Sequence, residues 1–112
     1  MSVSKGSVMT KRRAAVNGDY AHVVKATSWY LDATEHAHKA QRESTRGNCA
    51  AALSALNYAN EFSGNADAYA RLLKQPLRAP KSAGVSWGKR RADARDAIER
   101  ANRVFRGSCM IK

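Results

Sequence analysis

The sequence predicts an all-α protein: an antiparallel helical hairpin, a short third helix and a basic C-terminal helix. Apolar residues recur at steps of three and four over residues 19–44, again over 49–62 and again over 87–106. This spacing places them on one face of an α-helix. Short stretches containing Gly, Asn or Pro separate these segments, as expected where helices end.

The first helix is predicted to begin after Asp19, which can act as its N-cap, and to end near residue 44. Its apolar stripe contains Val23, Ala26, Tyr30, Ala33, Ala37 and Ala40. The opposite stripe is polar and contains Lys25, Ser28, Asp32, Glu35, Lys39 and Arg42. Such two-faced helices pack their apolar side on a core. We expect His22 and His36 to lie at the edge of that core and His38 to face solvent.

The second helix is predicted over residues 49–62, with Asn48 as its N-cap and Gly64 just past its C-terminus. Its apolar face contains Cys49, Ala52, Leu56 and Ala59, widened by Leu53 and Phe62. A short break separates it from the first helix, so the two should form an antiparallel hairpin.

A short third helix should be capped by Asn65 and stop near Lys74 or Gln75, because Pro76 disfavours helix in the residue before it. The last helix should start near Ser86 or Trp87 and run to about residue 106. One domain of 112 residues is expected. Its segments are a basic flexible arm (1–18), the hairpin with the third helix (19–74), a Pro/Gly-containing loop (75–86) and the basic C-terminal helix (87–112), packed on the same domain.

Charge is the main indication of function. The sequence contains 20 Lys and Arg residues but only 9 Asp and Glu residues, which gives a formal net charge of +11. Charge of this size indicates an acidic partner rather than a particular fold. We therefore predict a small DNA- or RNA-binding protein that contacts phosphates with little sequence readout. The candidate contact residues are Lys11, Arg12 and Arg13 in the arm and Trp87, Lys89, Arg90, Arg91 and Arg95 in the last helix.

These residue types suit that role, because arginine offers forked donors that match phosphate and tryptophan stacks on unpaired bases. A solvated helix is the competing interpretation. Asp96 precedes Arg100 by four residues and Glu99 precedes Arg103 by four, as in ordinary exposed ion pairs. Under that interpretation Trp87 only anchors the helix to the core.

A helix-turn-helix motif is a weaker alternative, in which Ser63, Gly64 and Asn65 would form the turn. The first turn of the recognition helix would then carry Asp67, which repels phosphate. Only the turn fits the motif.

A small helical adaptor, inhibitor or assembly subunit that binds an acidic protein surface is the rival function. Its contacts would come from aromatic residues such as Trp29, Tyr30 and Phe62. A third alternative is a component of a larger nucleoprotein particle, whose basic arm orders on assembly. A homo-oligomer is compatible with either alternative.

Catalysis, cofactors and metal binding are not expected. His36 and His38 point about 200° apart on a helix and cannot grip one metal together. Cys49 and Cys109 form no CxxC motif and no disulfide framework, and Cys49 falls on an apolar stripe where a small buried residue belongs. No membrane span or secretory signal is recognisable, so a cytoplasmic location is predicted.

Overall fold

The computed structural model describes the backbone of residues 2–110 and the side chains of residues 18–110. Three helices account for most of it: α1 (Ser2–Thr45), α2 (Cys49–Ala70) and α3 (Trp87–Phe105). The predicted all-α fold is confirmed, because α1 and α2 form a hairpin on which α3 packs. No helix in the described part of the chain is long and apolar enough to cross a membrane.

The core is built from alanine, as the apolar stripe of α1 predicts. All six residues of that stripe are completely buried: Val23, Ala26, Tyr30, Ala33, Ala37 and Ala40. Near the loop that joins α1 to α2, Ala37 and Ala40 pack on Leu56 of α2. At the other end of the hairpin, Ala26 and Tyr30 pack on Ala66 and Ala70. The contacts run in opposite directions along the two helices, so the hairpin is antiparallel.

Helix α1 does not begin at Asp19, so the predicted N-cap role of this residue is wrong. No proline interrupts the preceding residues, and a helix tolerates Gly18 at a cost of about 1 kcal/mol. Asp19 is instead buried, and its carboxylate accepts hydrogen bonds from the backbone N–H groups of Lys74 (3.0 Å) and Gln75 (3.2 Å). It thereby ties the chain that follows α2 to the side of α1. The side chains of the predicted mobile basic arm lie outside the described residues.

Helix α2 continues through Gly64 to Ala70, so the predicted break there is wrong. The predicted short third helix is the C-terminal part of α2. The helix-turn-helix interpretation is wrong because residues 63–65 are helical and form no turn. Ala66 and Ala70 extend the buried stripe that includes Ala59 at helical spacing. The burial of this continuous stripe against α1 outweighs the cost of one glycine in a helix, which is about 1 kcal/mol.

The two cysteines form a disulfide with each other, a bond that no motif or spacing in the sequence indicated. Their Cα atoms are 5.6 Å apart although 60 residues separate them in sequence. Cys109 belongs to a π-helical turn, Arg106–Met110, that follows α3 directly. The packing of α3 carries this turn to the start of α2. Both cysteines are half-buried. The prediction that Cys49 occupies a buried core position is therefore wrong.

Helix α3 has the predicted limits and inserts Ala94, Ala97 and Ala101 into the core, while Ile98 packs against both ends of it. The Ser86 side chain caps the helix by accepting a hydrogen bond from the Lys89 N–H (3.3 Å). Asn48 precedes α2 as predicted, but its side chain donates to Glu43 (2.8 Å) and makes no cap hydrogen bond. The loop before α3 contains a 3₁₀ turn, Pro76–Arg78.

Candidate nucleic-acid interface

The outward face of α3 carries basic residues that are paired with acidic residues one turn away. Arg100 lies 3.2 Å from Asp96 and Arg103 lies 3.4 Å from Glu99, as the sequence predicts. Lys89, a candidate contact residue, lies 3.8 Å from Asp93. All of these side chains are exposed, so each pair contributes at most about 1 kcal/mol. The pairs nevertheless reduce the positive charge that this face offers to an anion.

Two other basic residues of α3, Arg91 and Arg95, face a cleft between α2, the 3₁₀ turn and the start of α3. Its volume is about 190 Å³. Its walls are formed by Asp67, Ala70, Arg71, Pro76, Trp87, Arg91 and Arg95. Three of the predicted contact residues therefore meet here: Trp87, Arg91 and Arg95. Two others, Lys89 and Arg90, lie outside the cleft, and the side chains of Lys11, Arg12 and Arg13 lie outside the described part of the structure.

Trp87 organises one wall of the cleft. Its indole Nε1 donates a hydrogen bond to the carbonyl oxygen of Pro76 (3.3 Å), which fastens the 3₁₀ turn to the start of α3. The Arg91 guanidinium lies over the indole ring, 5.3 Å from its centroid, in a cation–π contact. Both side chains are half-buried. Trp87 also packs against the core, as the competing interpretation requires. It therefore anchors the helix and the loop and holds a guanidinium at the cleft wall.

Asp67 is the one carboxylate in the cleft wall, and buried Tyr30 engages it. The Tyr30 hydroxyl donates a hydrogen bond to Asp67 Oδ1, while Arg95 Nη2 lies 4.0 Å from Asp67 Oδ2. Burial of the phenol, followed by its hydrogen bond to Asp67 and the negative charge of that residue, raises the pKa of Tyr30 well above its ordinary value. The phenol therefore stays protonated and continues to donate. Because Tyr30 is completely buried, its expected role as a contact for a protein partner is wrong.

The cleft has an excess of positive charge. Three guanidinium groups line it with one carboxylate, and Asp67 already has two partners. Among the side chains that the structure describes, no carboxylate oxygen lies within 4.0 Å of the Arg71 or Arg91 guanidinium. An anion entering the cleft would therefore find forked donors without a competing ionic partner.

Arg71 is the residue of this site that the sequence analysis missed. It lies directly after α2, where its backbone N–H still bonds to the carbonyl of Asp67 (3.0 Å). Because the sequence analysis ended the second helix before Gly64, it gave no reason to place Arg71 beside α3. Its position depends on a continuous α2 that packs beside α3, and no local pattern signals that arrangement.

A ridge of rings occupies the opposite flank of α2, and we call Trp29, His36, Tyr58 and Phe62 the aromatic ridge. His36 meets Phe62 edge-on with ring centroids 4.9 Å apart, and Trp29 lies 5.1 Å from Phe62. Phe62 and Asp67 are five residues apart, which turns their side chains about 140° from each other on a helix. The aromatic ridge and the arginine cleft are therefore separate surfaces.

The histidines behave as predicted, since His22 and His36 are half-buried and His38 is exposed. Within the described part of the chain, no group of three or more His, Cys, Asp or Glu side chains could hold a metal ion. No known protein family matches the chain, and no curated protein or solved structure is detectably similar to it.

Proposed function

We propose that this protein binds nucleic acid through phosphate contacts, with little readout of base sequence. The observation that carries the proposal is the convergence of Arg71, Arg91 and Arg95 on one cleft. The single carboxylate there, Asp67, is already engaged by Tyr30. Bidentate guanidinium–phosphate hydrogen bonds are among the strong charge-assisted interactions available to a protein surface.

The rest of the chain would support this contact by long-range attraction. The net charge of +11 favours rapid association with a polyanion. Lys89 and Arg90 on α3, together with Lys11, Arg12 and Arg13 near the N-terminus, are the further phosphate contacts that we propose. In this proposal the protein acts by binding alone, without a cofactor or a catalytic step.

The proposal is tested by measuring the affinity of the protein for single-stranded RNA, single-stranded DNA and duplex DNA over a salt series. We expect a linear fall of log affinity with log salt, with a slope of about 0.7 to 0.9 per phosphate neutralised. Arg71→Gln and Arg91→Gln should each weaken binding to every sequence and reduce the slope by about one contact. Arg100→Gln, which changes an exposed and paired arginine, is the matched control. Equal affinities for all three variants and the wild type would refute the role of the cleft.

A protein partner with an acidic surface is the second candidate, and the exposure of the aromatic ridge favours it. Tyr58 leaves 49% of its surface exposed beside the half-buried Trp29 and Phe62. Large aromatic side chains at a surface are typical of protein interfaces. Under this proposal, Trp29→Ala would abolish partner binding with helicity retained, while salt-dependent binding to nucleic acid would be weak for every form of the protein.

A cytoplasmic location remains the proposal from sequence, and the Cys49–Cys109 bond counts against it. Disulfides persist in oxidising compartments and are rare in the cytosol, where thiols are kept reduced. Alkylation of free thiols before cell lysis, followed by mass spectrometry, distinguishes the two situations. Two alkylated cysteines would favour the cytoplasm, whereas a protected pair would favour an oxidising compartment.

A further inference from the structure

The shape of the arginine cleft points to a more specific ligand than a phosphate on a duplex surface. We infer that the cleft receives one unpaired nucleotide, so that the protein prefers single strands and overhanging ends to blunt duplex. This inference rests on the proposed function and adds to it the form of nucleic acid that is bound.

The size of the cleft is the first argument. The cleft holds about 190 Å³ of space and is open to solvent. A single phosphate group would leave part of that space unfilled. A phosphate together with part of the attached base or sugar matches the available space.

The lining of the cleft is the second argument, because it combines cations with a wall that contains an indole ring. Trp87 with Arg91 over its ring forms one side, and Pro76 and Ala70 continue the apolar surface. Nucleobases stack on aromatic rings and on guanidinium planes when they are unpaired. In a duplex the base faces are covered by neighbouring base pairs, so a duplex would use the arginines but not this wall.

Asp67 supplies the third argument, since it limits the negative charge that the cleft accepts. Its carboxylate stays beside Arg95 because the buried Tyr30 hydroxyl holds it there. A second phosphate in this small space would meet that carboxylate at close range. One phosphate can bind Arg71 and Arg91, since no described carboxylate oxygen lies within 4.0 Å of either guanidinium group, as expected for a strand that places a single nucleotide in the cleft.

The test compares ligands of equal phosphate number: a blunt hairpin duplex closed by a linker without nucleotides, a shorter hairpin of the same kind with a 3′ overhang, and a single strand. Affinities are measured by fluorescence anisotropy at fixed salt. For the wild type we expect about tenfold tighter binding to the overhang and the single strand than to the blunt hairpin, within the range that stacking of a base on an aromatic ring provides. Arg91→Gln should weaken binding to all three ligands.

Two variants of the stacking wall separate recognition from folding. Trp87→Leu should reduce the preference for unpaired nucleotides to about onefold, while Trp87→Phe, which keeps a ring but loses the bond to Pro76, should retain most of it. Trp29→Leu, in the aromatic ridge on the opposite flank of α2, should leave the preference unchanged. Circular dichroism establishes that each variant is helical. If Trp87→Leu unfolds, Trp87→Met, which keeps a large apolar side chain without a ring, takes its place in the test.

Three results would overturn the inference. Equal affinity of the wild type for blunt and overhanging hairpins would show that the cleft reads phosphate alone, which leaves the proposed function intact. Loss of the preference in Trp29→Leu but not in Trp87→Leu would move base stacking to the aromatic ridge. Absence of salt-dependent binding to any of the ligands would refute the inference and the proposed function together.

Discussion

Removal of the disulfide should cost this protein a large share of its stability. The change is the double variant Cys49→Ser with Cys109→Ser, which replaces the bridge by two similar small side chains. The bond closes a loop of 60 residues. Cross-linking a loop of that length lowers the entropy of the unfolded chain enough to stabilise the folded state by about 4 kcal/mol at 25 °C. Domains of this size are stable by about 5–15 kcal/mol in total.

The expected change in melting temperature follows from the length of the chain. Unfolding entropy near 60 °C is about 2.1 cal/mol/K per residue, or about 0.24 kcal/mol/K for 112 residues. A loss of about 4 kcal/mol therefore lowers the melting temperature by roughly 15–20 °C. The alanine core makes this loss consequential, because each alanine buries little apolar surface to offset it.

The assay is unfolding by heat and by urea, followed by circular dichroism, for three samples: oxidised wild type, reduced wild type and the double serine variant. The reduced wild type and the variant should unfold alike, and both should unfold before the oxidised protein. A loss below about 1 kcal/mol in the variant would refute the loop-closure argument. Reduced wild type that matches the oxidised protein instead of the variant would show that the serines, not the missing bond, destabilise the fold.

Three further predictions test the fold and the cleft. Gly64→Ala should stabilise the protein by about 0.5–1 kcal/mol in urea unfolding, because Gly64 is helical and an added Cβ meets open space. Gly47→Ala, in the loop before α2 at φ +81°, should destabilise it and serves as the control. Destabilisation by Gly64→Ala would indicate that α2 is broken at Gly64. Tyr30→Phe should cost about 1–2 kcal/mol by leaving the Asp67 acceptor without its buried donor. The pKa of Tyr30 is higher in the folded state than in the unfolded chain. The stability of the wild type should therefore fall as pH rises above about 10, the pKa of an unfolded tyrosine. The difference in unfolding free energy between the wild type and Tyr30→Phe should shrink over the same pH range. Asp67→Asn keeps an oxygen that accepts the Tyr30 hydrogen bond and removes one negative charge from the cleft. Affinity for single-stranded nucleic acid should therefore rise roughly fivefold, about 1 kcal/mol. Lower affinity with helicity retained would mean that Asp67 positions Arg95 rather than repels phosphate.

Much of the fold was predictable from periodicity, because helical spacing is a local property of the chain. The stripe from Val23 to Ala40 is buried as predicted, and α3 begins and ends where its pattern and the Ser86 cap indicate. Exposed pairs such as Asp96 with Arg100 also follow from spacing alone. These features depend on residues three or four positions apart, which any single helix brings together.

The errors share one physical origin, namely contacts between residues far apart in sequence. Gly64 is a good local stop signal, yet packing of Ala66 and Ala70 against α1 keeps the helix intact. Asp19 is a good local N-cap, yet its carboxylate binds backbone groups 55 and 56 residues away. Local propensities amount to about 1 kcal/mol each, so burial of an extended apolar stripe outweighs them.

The same distinction between local and long-range contacts applies to the candidate site. By itself the sequence determined that the protein is helical and basic, and it indicated Trp87, Arg91 and Arg95 as residues suited to phosphate and bases. Only the tertiary structure decided that these side chains face a cleft, that Arg71 joins them and that Tyr30 holds Asp67 there. Whether a segment is helical depends on neighbours within one turn, whereas a cleft between helices depends on how the helices pack. In this protein the packing follows from burial of alanine stripes on all three helices.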